Sequence, residues 1–312
     1  MGQQRKPEKD GKPAPAVSVV MPLYNRARTV GRAIDSVLKQ NFVDFELIIV
    51  DDGSTDDGAE VVAGVGDKRI RLIRLGQNRG GNAARNHGVR EARGRIISFL
   101  DSDDEYLPNK LQTIVDTFDA NPGLGGLIDS FRKLYPDGRS KDCRNPRIRD
   151  RDALLEALFD RRLWKSTPSI SVTPADAAAA GLFDEQLKRR QDYDFLIRLI
   201  RSAEVMSIGT ITWVKTKGAD TISSDLSGFM PAFSAFWDRH PDYATESHFR
   251  RGFDADLARH FAKLAYHVRG RQMLADGKVI ARRIGVSGLM RSIAAGGIEL
   301  GRLALHRRGM DD

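Results

Sequence analysis

Residues 45–57 read FELIIVDDGSTDD, and residues 95–104 read RIISFLDSDD. Each begins as a mostly apolar run of strand length and closes in carboxylates and turn formers that a continuing strand would not tolerate. VSVVM at 17–21 is a third such run, and it follows Pro13 and Pro15, so residues 1–16 are expected to form a loose arm. Between these strands, Val30, Ala33, Ile34, Val37 and Leu38 recur at three- and four-residue spacing, which lays one apolar stripe along a helix. A short helix at 57–64, a strand RIRLIRL at 69–75 and a helix from Gly80 to Glu91 complete the alternation. Pro108 suits the first turn of a helix whose inner face is Leu111, Ile114, Val115 and Phe118.

Strands alternating with helices at these lengths predict right-handed βαβ units and a mostly parallel sheet covered on both faces. Ligands bind such sheets beyond the carboxyl ends of the strands, where both acidic clusters fall. The stretch 125–225 is less regular, with helices expected at 150–159 and 192–203, a loop through Pro168 and a strand ITWVK at 211–215. From 228 onward the pattern is helical. The expected layout is an arm at 1–16, an α/β domain at 17–225 and a helical basic extension at 226–312.

With 41% hydrophobic and 29% charged residues in 312, the chain has enough apolar material to fold, which excludes wholesale disorder. Cys143 is the single cysteine, so no intrachain disulfide is possible, no structural zinc spacing exists, and a reducing, cytoplasmic setting is the default. No secretory apolar segment opens the sequence, and nowhere is there an apolar run of membrane-spanning length. The net charge of +8 invites a nucleic-acid partner, but its distribution argues against one. Residues 269–310 hold nine Arg and Lys against Asp276 and Glu299, a net +7, and the remainder is close to balanced. In this tail Arg282, Arg283 and Arg291 interleave with Ile280, Ile284 and Met290. Such a segment either lies on an anionic membrane surface or packs as a helical extension with a solvated arginine face, and five glycines between 285 and 301 weaken a long free helix.

The chemistry lies in Asp51, Asp52, Asp56 and Asp57 and in Asp101, Asp103 and Asp104. Like charges gathered at one sheet edge repel, and they persist only where a cation or hydrogen-bond donors stabilise them. Asp101-Ser102-Asp103 offers hard oxygen ligands on a tight turn, which suits Mg²⁺ or Mn²⁺ completed by water and diphosphate oxygens.

VSVVMPLYNR at 17–26, LIIVDDGSTDD at 47–57, NRGGNAARNHG at 78–88, ISFLDSDD at 97–104 and FDEQLKRRQDYDFLIRL at 183–199 resemble, in order, the motifs of family 2 glycosyltransferases of the GT-A fold. The resemblance implies a Rossmann-like α/β architecture and a metal-dependent, inverting transfer of a sugar. The donor would be a nucleoside diphosphate sugar, with UDP favoured, and the acceptor a saccharide or lipid-linked hydroxyl in cell-surface polysaccharide or glycolipid synthesis. It makes Pro22, Leu23, Tyr24 and Asn25 one wall of the nucleotide pocket, with Tyr24 stacking on the base. Asp52, with Asp51 beside it, would accept hydrogen bonds from base and ribose. Arg85 would either meet the diphosphate or pair Asp51 or Asp52, and Asn82 and Asn86 would tie loops. Asp101 and Ser102 would face the donor, Asp101 and Asp103 would hold the metal, and Asp192 would be the general base.

Asp192 also precedes the stripe Phe195, Leu196, Leu199 and Ile200, as a helix N-cap would, and Asp194 is the second candidate base. Two positions depart from the family pattern. Gln191 stands where Glu is usual, and VKTKGADTIS at 214–223 carries Lys215 and Lys217 where relatives carry a basic residue, a spacer and a histidine. A protonated lysine cannot ligate metal but can neutralise a departing diphosphate. His260 and His267 are expected at the surface or in packing.

Three other classes compete. A sugar-phosphate nucleotidyltransferase would open on a glycine-rich loop where this chain has PLYNR. A non-catalytic sugar-nucleotide-binding protein would lack Asp103 or Asp192, and both are present. A nucleic-acid-binding module would need a basic face with groove-reading elements, which the acidic edge opposes. The expected location is cytoplasmic, with peripheral contact at the inner face of the cell membrane through 269–310.

Overall fold

A computed structural model describes residues 14–217, 228–266 and 270–308. The parallel part of the sheet is built first along the chain. β1 (Val17–Leu23) and β2 (Phe45–Asp51) are buried almost throughout, as expected of strands covered on both faces. Between them α1 (Ala27–Leu38) buries Val30, Ala33, Ile34 and Val37, the stripe expected from their spacing. α2 (Gly58–Ala63), β3 (Ile70–Arg74), α3 (Gly81–Glu91) and β4 (Ile96–Phe99) follow. The order β3-β2-β1-β4 is parallel throughout, and its register sets Leu23 opposite Asp51 and Val20 opposite Phe99. Both acidic runs therefore leave the sheet at the same edge. Pro22 extends β1 past the last β4 pairing, where its missing N–H breaks no ladder on that side.

Beyond β4 the sheet becomes mixed. β5 (Glu105–Tyr106), α4 (Lys110–Ala120), β6 (Gly126–Leu134), β7 (Ser140–Cys143) and α5 (Arg151–Phe159) lead to a single 3-10 turn at Thr167–Ser169. β8 (Ile170–Val172), α6 (Pro174–Ala179), α7 (Gln191–Ser202) and β9 (Val205–Thr216) complete it. β8 enters antiparallel between β4 and β6, β6 pairs β9 in parallel, and β5 and β7 lie antiparallel on β9 and β6. The α/β class stands, with the parallel character concentrated in residues 17–99.

Two elements differ from the sequence expectation. β9 begins at Val205, ahead of ITWVK, because Val205–Ser207 pair with Gly126–Ile128. β6 escapes a periodicity reading because Asp129 and Ser130, both fully buried, interrupt its apolar run. The Asp129 carboxylate is met by the equally buried Lys110 ammonium, which also donates to the Pro168 carbonyl at 2.8 Å. Burial pushes Asp129 up and Lys110 down against their mutual attraction. Removing one partner would strand a buried charge, so the pair ties α4, β6 and the 168 turn together.

The described residues divide into two units. One runs to Leu154 and resumes at Trp164; the other comprises Leu155–Leu163 and the residues beyond 227. The expected boundary at 225/226 and residues 1–13 of the expected arm lie outside the described residues, as does His267. The second unit holds α8 (Phe229–Arg239), α9 (Asp242–Thr245), α10 (Ser247–Tyr266) and α11 (Gly270–Arg308), the last kinked at Gly285, whose φ is 76°. An aromatic core of Phe159, Phe233, Phe236, Tyr243 and Phe253 fills it, with Tyr243 Oη donating to Asp256 at 2.5 Å. His260 is a packing residue, stacked 4.1 Å from Phe229 and hydrogen-bonded to Asp276 at 2.6 Å.

Candidate active site

The loop after β2 folds on its own carboxylates. Asp51 Oδ1 accepts from Ser54 N at 3.0 Å, and Asp56 accepts from Ala27 N at 2.8 Å and Gly58 N at 3.0 Å. Asp52 is 1% exposed, and its two oxygens accept from the amides of Arg79 (2.9 Å) and Gly80 (2.8 Å). Gly53 turns the chain at φ 76°, where a Cβ would lie 2.7 Å from the backbone of Gln77, so only glycine fits between the two loops. The Asp52 oxygens, expected to address base and ribose, anchor the 79–80 loop that opens α3. Asn25, at φ 51°, accepts from Thr55 N at 2.8 Å and docks the β1 turn on this loop. Tyr24 is left 43% exposed between them, available to a planar ligand.

The run after β4 is held differently, by cationic side chains. Arg85, only 7% exposed on α3, donates to Asp101 Oδ1 at 2.7 Å and to Asn82 Oδ1 at 3.3 Å. Of the two roles expected for it, meeting the diphosphate or pairing Asp51 or Asp52, the second is modified: the carboxylate it meets is Asp101, because backbone amides already occupy Asp51 and Asp52. Ser102 is buried beneath the turn. Asp103 has Arg26 Nε at 3.7 Å. Asp104 is 2% exposed, accepts from Thr216 N at 3.0 Å and lies 3.8 Å from Lys215 Nζ; among the described residues its Oδ2 has no hydrogen-bond partner.

The electrostatics follow from this crowding. Burial raises Asp101, but Arg85, Lys215 and Arg26 outweigh it and hold the carboxyl below its ordinary range. Burial and the Asp101 charge push Asp103 up. Burial, with Asp101 and Asp103 adding to it against Lys215, pushes Asp104 up to about 8. Lys215 itself is raised: burial opposes its charge, but Asp104, Asp101, Asp103 and Asp192 together prevail. Its ammonium also donates to Ser166 Oγ at 3.0 Å.

Lys215 thus shares its field with Asp192 as well as with the β4 cluster. α7 starts at Gln191, so Asp192 sits in the first turn and not at the cap expected for it; the capping position is Arg190, a non-glycine residue at φ 61°. Asp192 is half-buried and accepts from the adjacent Tyr193 N at 2.9 Å. Asp194 is fully buried and bound by Arg198 at 2.5 Å and 3.1 Å, which commits it to scaffolding. Asn82 donates to the carbonyls of Asp184 and Leu187, and Asn86 both donates to the Phe183 carbonyl and accepts from its amide, so α3 carries the loop that leads to α7.

Among the described residues no three His, Cys, Asp or Glu side chains converge into an all-protein metal site. The set present still fits Mg²⁺ or Mn²⁺, which commonly takes one or two carboxylates and completes its shell with water and phosphate oxygens. Asp101 Oδ2 and the half-exposed Asp103 supply that pair beside the orphaned Asp104 oxygen. Sequence reasoning left Asp104, Arg26 and Ser166 without a role. The first two stood inside the quoted motifs, and Ser166, in a loop, carried no signal.

Residues 18–163 match the family model described as Glycosyl transferase family 2. The succinoglycan biosynthesis protein ExoO of Rhizobium meliloti (strain 1021) is 44% identical over 126 residues, covering 40% of this chain and 36% of the relative. The Escherichia coli UDP-Glc:alpha-D-GlcNAc-diphosphoundecaprenol beta-1,3-glucosyltransferase WfgD is 43% identical over 96 residues, covering 31% of this chain and 38% of that one. The chain thus spans little more than a third of the length of either relative. The crystal structure of S. aureus TarS 1-349 in complex with UDP-GlcNAc superposes with a TM-score of 0.60 at 18% identity, covering 86% of this chain and 92% of that chain, a likeness of fold.

Proposed function

Residues 18–163 belong to glycosyltransferase family 2, and from that premise we propose that the chain transfers a sugar, with inversion, from a UDP-sugar to an acceptor hydroxyl. One arrangement carries the proposal: Arg85 lies 2.7 Å from Asp101 and Lys215 3.8 Å from Asp104 at the β4 turn, and the charge of Asp192 acts on Lys215 as well. Cation, acidic turn and candidate base therefore share one electrostatic site, as a diphosphate donor and its acceptor require.

Tyr24 stacks on the base, and the amide-rich loop at 51–58 flanks the nucleoside. A divalent ion held by Asp101 and Asp103 would supply Lewis-acid stabilisation of the diphosphate. Lys215 neutralises charge on the leaving group from the protein side. Asp192 accepts the proton of the acceptor hydroxyl as its oxygen bonds to the anomeric carbon and the bond to the diphosphate breaks. Arg85, by fixing Asp101, positions the metal-binding turn.

ExoO and WfgD support a place in surface-polysaccharide synthesis, and WfgD's name supports UDP-glucose and a diphosphate-linked lipid as the first donor and acceptor to try. No described helix is long and apolar enough to cross a membrane. A lipid-linked acceptor would require contact with a membrane surface, to which residues 269–310 bring positive charge. UDP release is the test: it should require acceptor and Mn²⁺ or Mg²⁺ and disappear in Asp192→Asn. Full turnover by that variant removes Asp192 from the mechanism.

A further inference from the structure

Just ahead of the 3-10 turn, Trp164, Lys165 and Ser166 form a short shelf, and each reaches a different element of the sheet domain. Trp164 packs edge-on against Phe131 of β6, with ring centroids 6.5 Å apart. Lys165 holds its ammonium 4.1 Å from the centre of the Tyr193 ring, one residue past Asp192 on α7. Ser166 Oγ accepts from Lys215 of β9 at 3.0 Å. Asn145, 4% exposed, fixes the shelf from behind: it accepts from the Trp164 amide at 2.7 Å and donates to the Trp164 carbonyl at 3.0 Å. Buried hydrogen bonds therefore set the position of these residues before any ligand arrives.

The sheet face beside the shelf is aromatic and then cationic. Phe131 of β6 lies in register with Trp213 of β9, and Lys133 with Lys215, so the two rings stack at 4.5 Å and the two lysines follow them on the same face. Lys133 Nζ stands 4.6 Å from the centre of the half-buried Trp164 ring. Like charges at neighbouring register positions cost stability. At Lys215 the carboxylates of the β4 turn offset that cost. Lys133 and Lys165 rest on ring faces, which steady an ammonium without taking its charge. The chain also enters α7 through Lys188, Arg189 and Arg190, so positive charge gathers on the side of the site that carries Asp192. A neutral sugar would need only hydrogen-bonding groups and an apolar surface there. Cations in that place answer an acceptor that brings negative charge of its own.

We propose that the shelf at 164–166 is the acceptor subsite and that it selects a saccharide carried on a phosphate ester. Lys133 and Lys165 meet the phosphate, Trp164 supplies apolar surface to the sugar ring, and the reacting hydroxyl is turned to Asp192. The inference rests on the transferase reading and adds to it the charge of the acceptor and the residues that read it.

The test compares UDP release with octyl N-acetylglucosaminide, N-acetylglucosamine 1-phosphate and N-acetylglucosamine octyl diphosphate as acceptors. In the parent, kcat/KM should favour phosphorylated acceptors over the neutral glycoside roughly a hundred-fold. Lys133→Gln and Lys165→Gln should each cut that preference roughly ten-fold with the donor KM unchanged, while Lys133→Arg and Lys165→Arg keep most of it. A preference shared by both phosphorylated acceptors assigns it to the phosphate ester itself; one confined to the octyl diphosphate assigns it to a lipid carrier, and either upholds the subsite. The preference of the parent needs no variant, so it tests the proposal even if a glutamine variant fails to fold. No preference in the parent overturns the proposal, as do glutamine variants that slow all three acceptors equally or raise the donor KM, which would give the lysines to the scaffold or to the donor. Calorimetric titration of the UDP-loaded protein with the octyl diphosphate separates the two readings. Binding that Lys165→Gln weakens, with no UDP release from any acceptor, would overturn the transferase reading and leave the subsite standing; UDP release without any preference for phosphate would do the opposite.

Discussion

Two acidic runs leave the same edge of the same sheet, and they are stabilised by opposite means. In DDGSTDD the carboxylates of Asp51, Asp52 and Asp56 accept from five backbone amides, so their charge is spent on loop geometry. In DSDD the carboxylates of Asp101, Asp103 and Asp104 face Arg85, Arg26 and Lys215, and among the described residues one Asp104 oxygen has no hydrogen-bond partner. Amide-satisfied acid builds a wall; acid balanced by side-chain cations, and still pushed up at Asp103 and Asp104, is a site prepared for more positive charge. The same sequence signature is thus held by backbone amides in one place and by side-chain cations in the other.

The comparison can be broken in steps. The largest effect should come from Asp192, which belongs to the cation-held group through Lys215: Asp192→Asn should lower turnover on the order of 10³-fold with donor affinity unchanged, measured by UDP release and by donor titration. Next, Asp103→Asn should lower turnover on the order of 10²-fold, and a chelator should do the same to the parent. Its melting temperature should hold or rise, because the folded state disfavours the Asp103 charge through burial and through Asp101, so removing that charge above its ordinary range relieves the fold. A clear loss of stability would place Asp103 with the scaffold.

Asp52→Ala should show the converse signature. It leaves the Arg79 and Gly80 amides without their acceptor and should cost about 2–3 kcal/mol in urea unfolding. A variant of full stability that cannot use its donor would mean that the two runs both handle ligand. The smallest effect is expected at Tyr24→Ala, which removes a ring that is 43% exposed: about five-fold in KM for the UDP-sugar, with kcat unchanged, from a stacking contribution of about 1 kcal/mol.

The parallel half of the fold was legible because its strands are long apolar runs and α1 repeats its buried residues at helical spacing. β6 was not, since Asp129 looks like a strand breaker until Lys110, nineteen positions away, is seen against it. Within the site, Asp101, Asp103 and Asp192 stood out by motif. The partner of Arg85 and the burial of Asp194 under Arg198 did not, because hydrogen bonds between separate elements leave no local pattern in the chain.

By itself the sequence determined the strands of the parallel half, that two of them end in acid, and that the positive charge is gathered in the tail. Only the tertiary structure decided which acids are already satisfied, that Arg85 pairs with Asp101, and that Lys215 lies beside Asp104. The reason is that periodicity and composition are local, whereas the state of a carboxylate depends on whatever donors, cations and solvent the fold brings within a few ångströms of it.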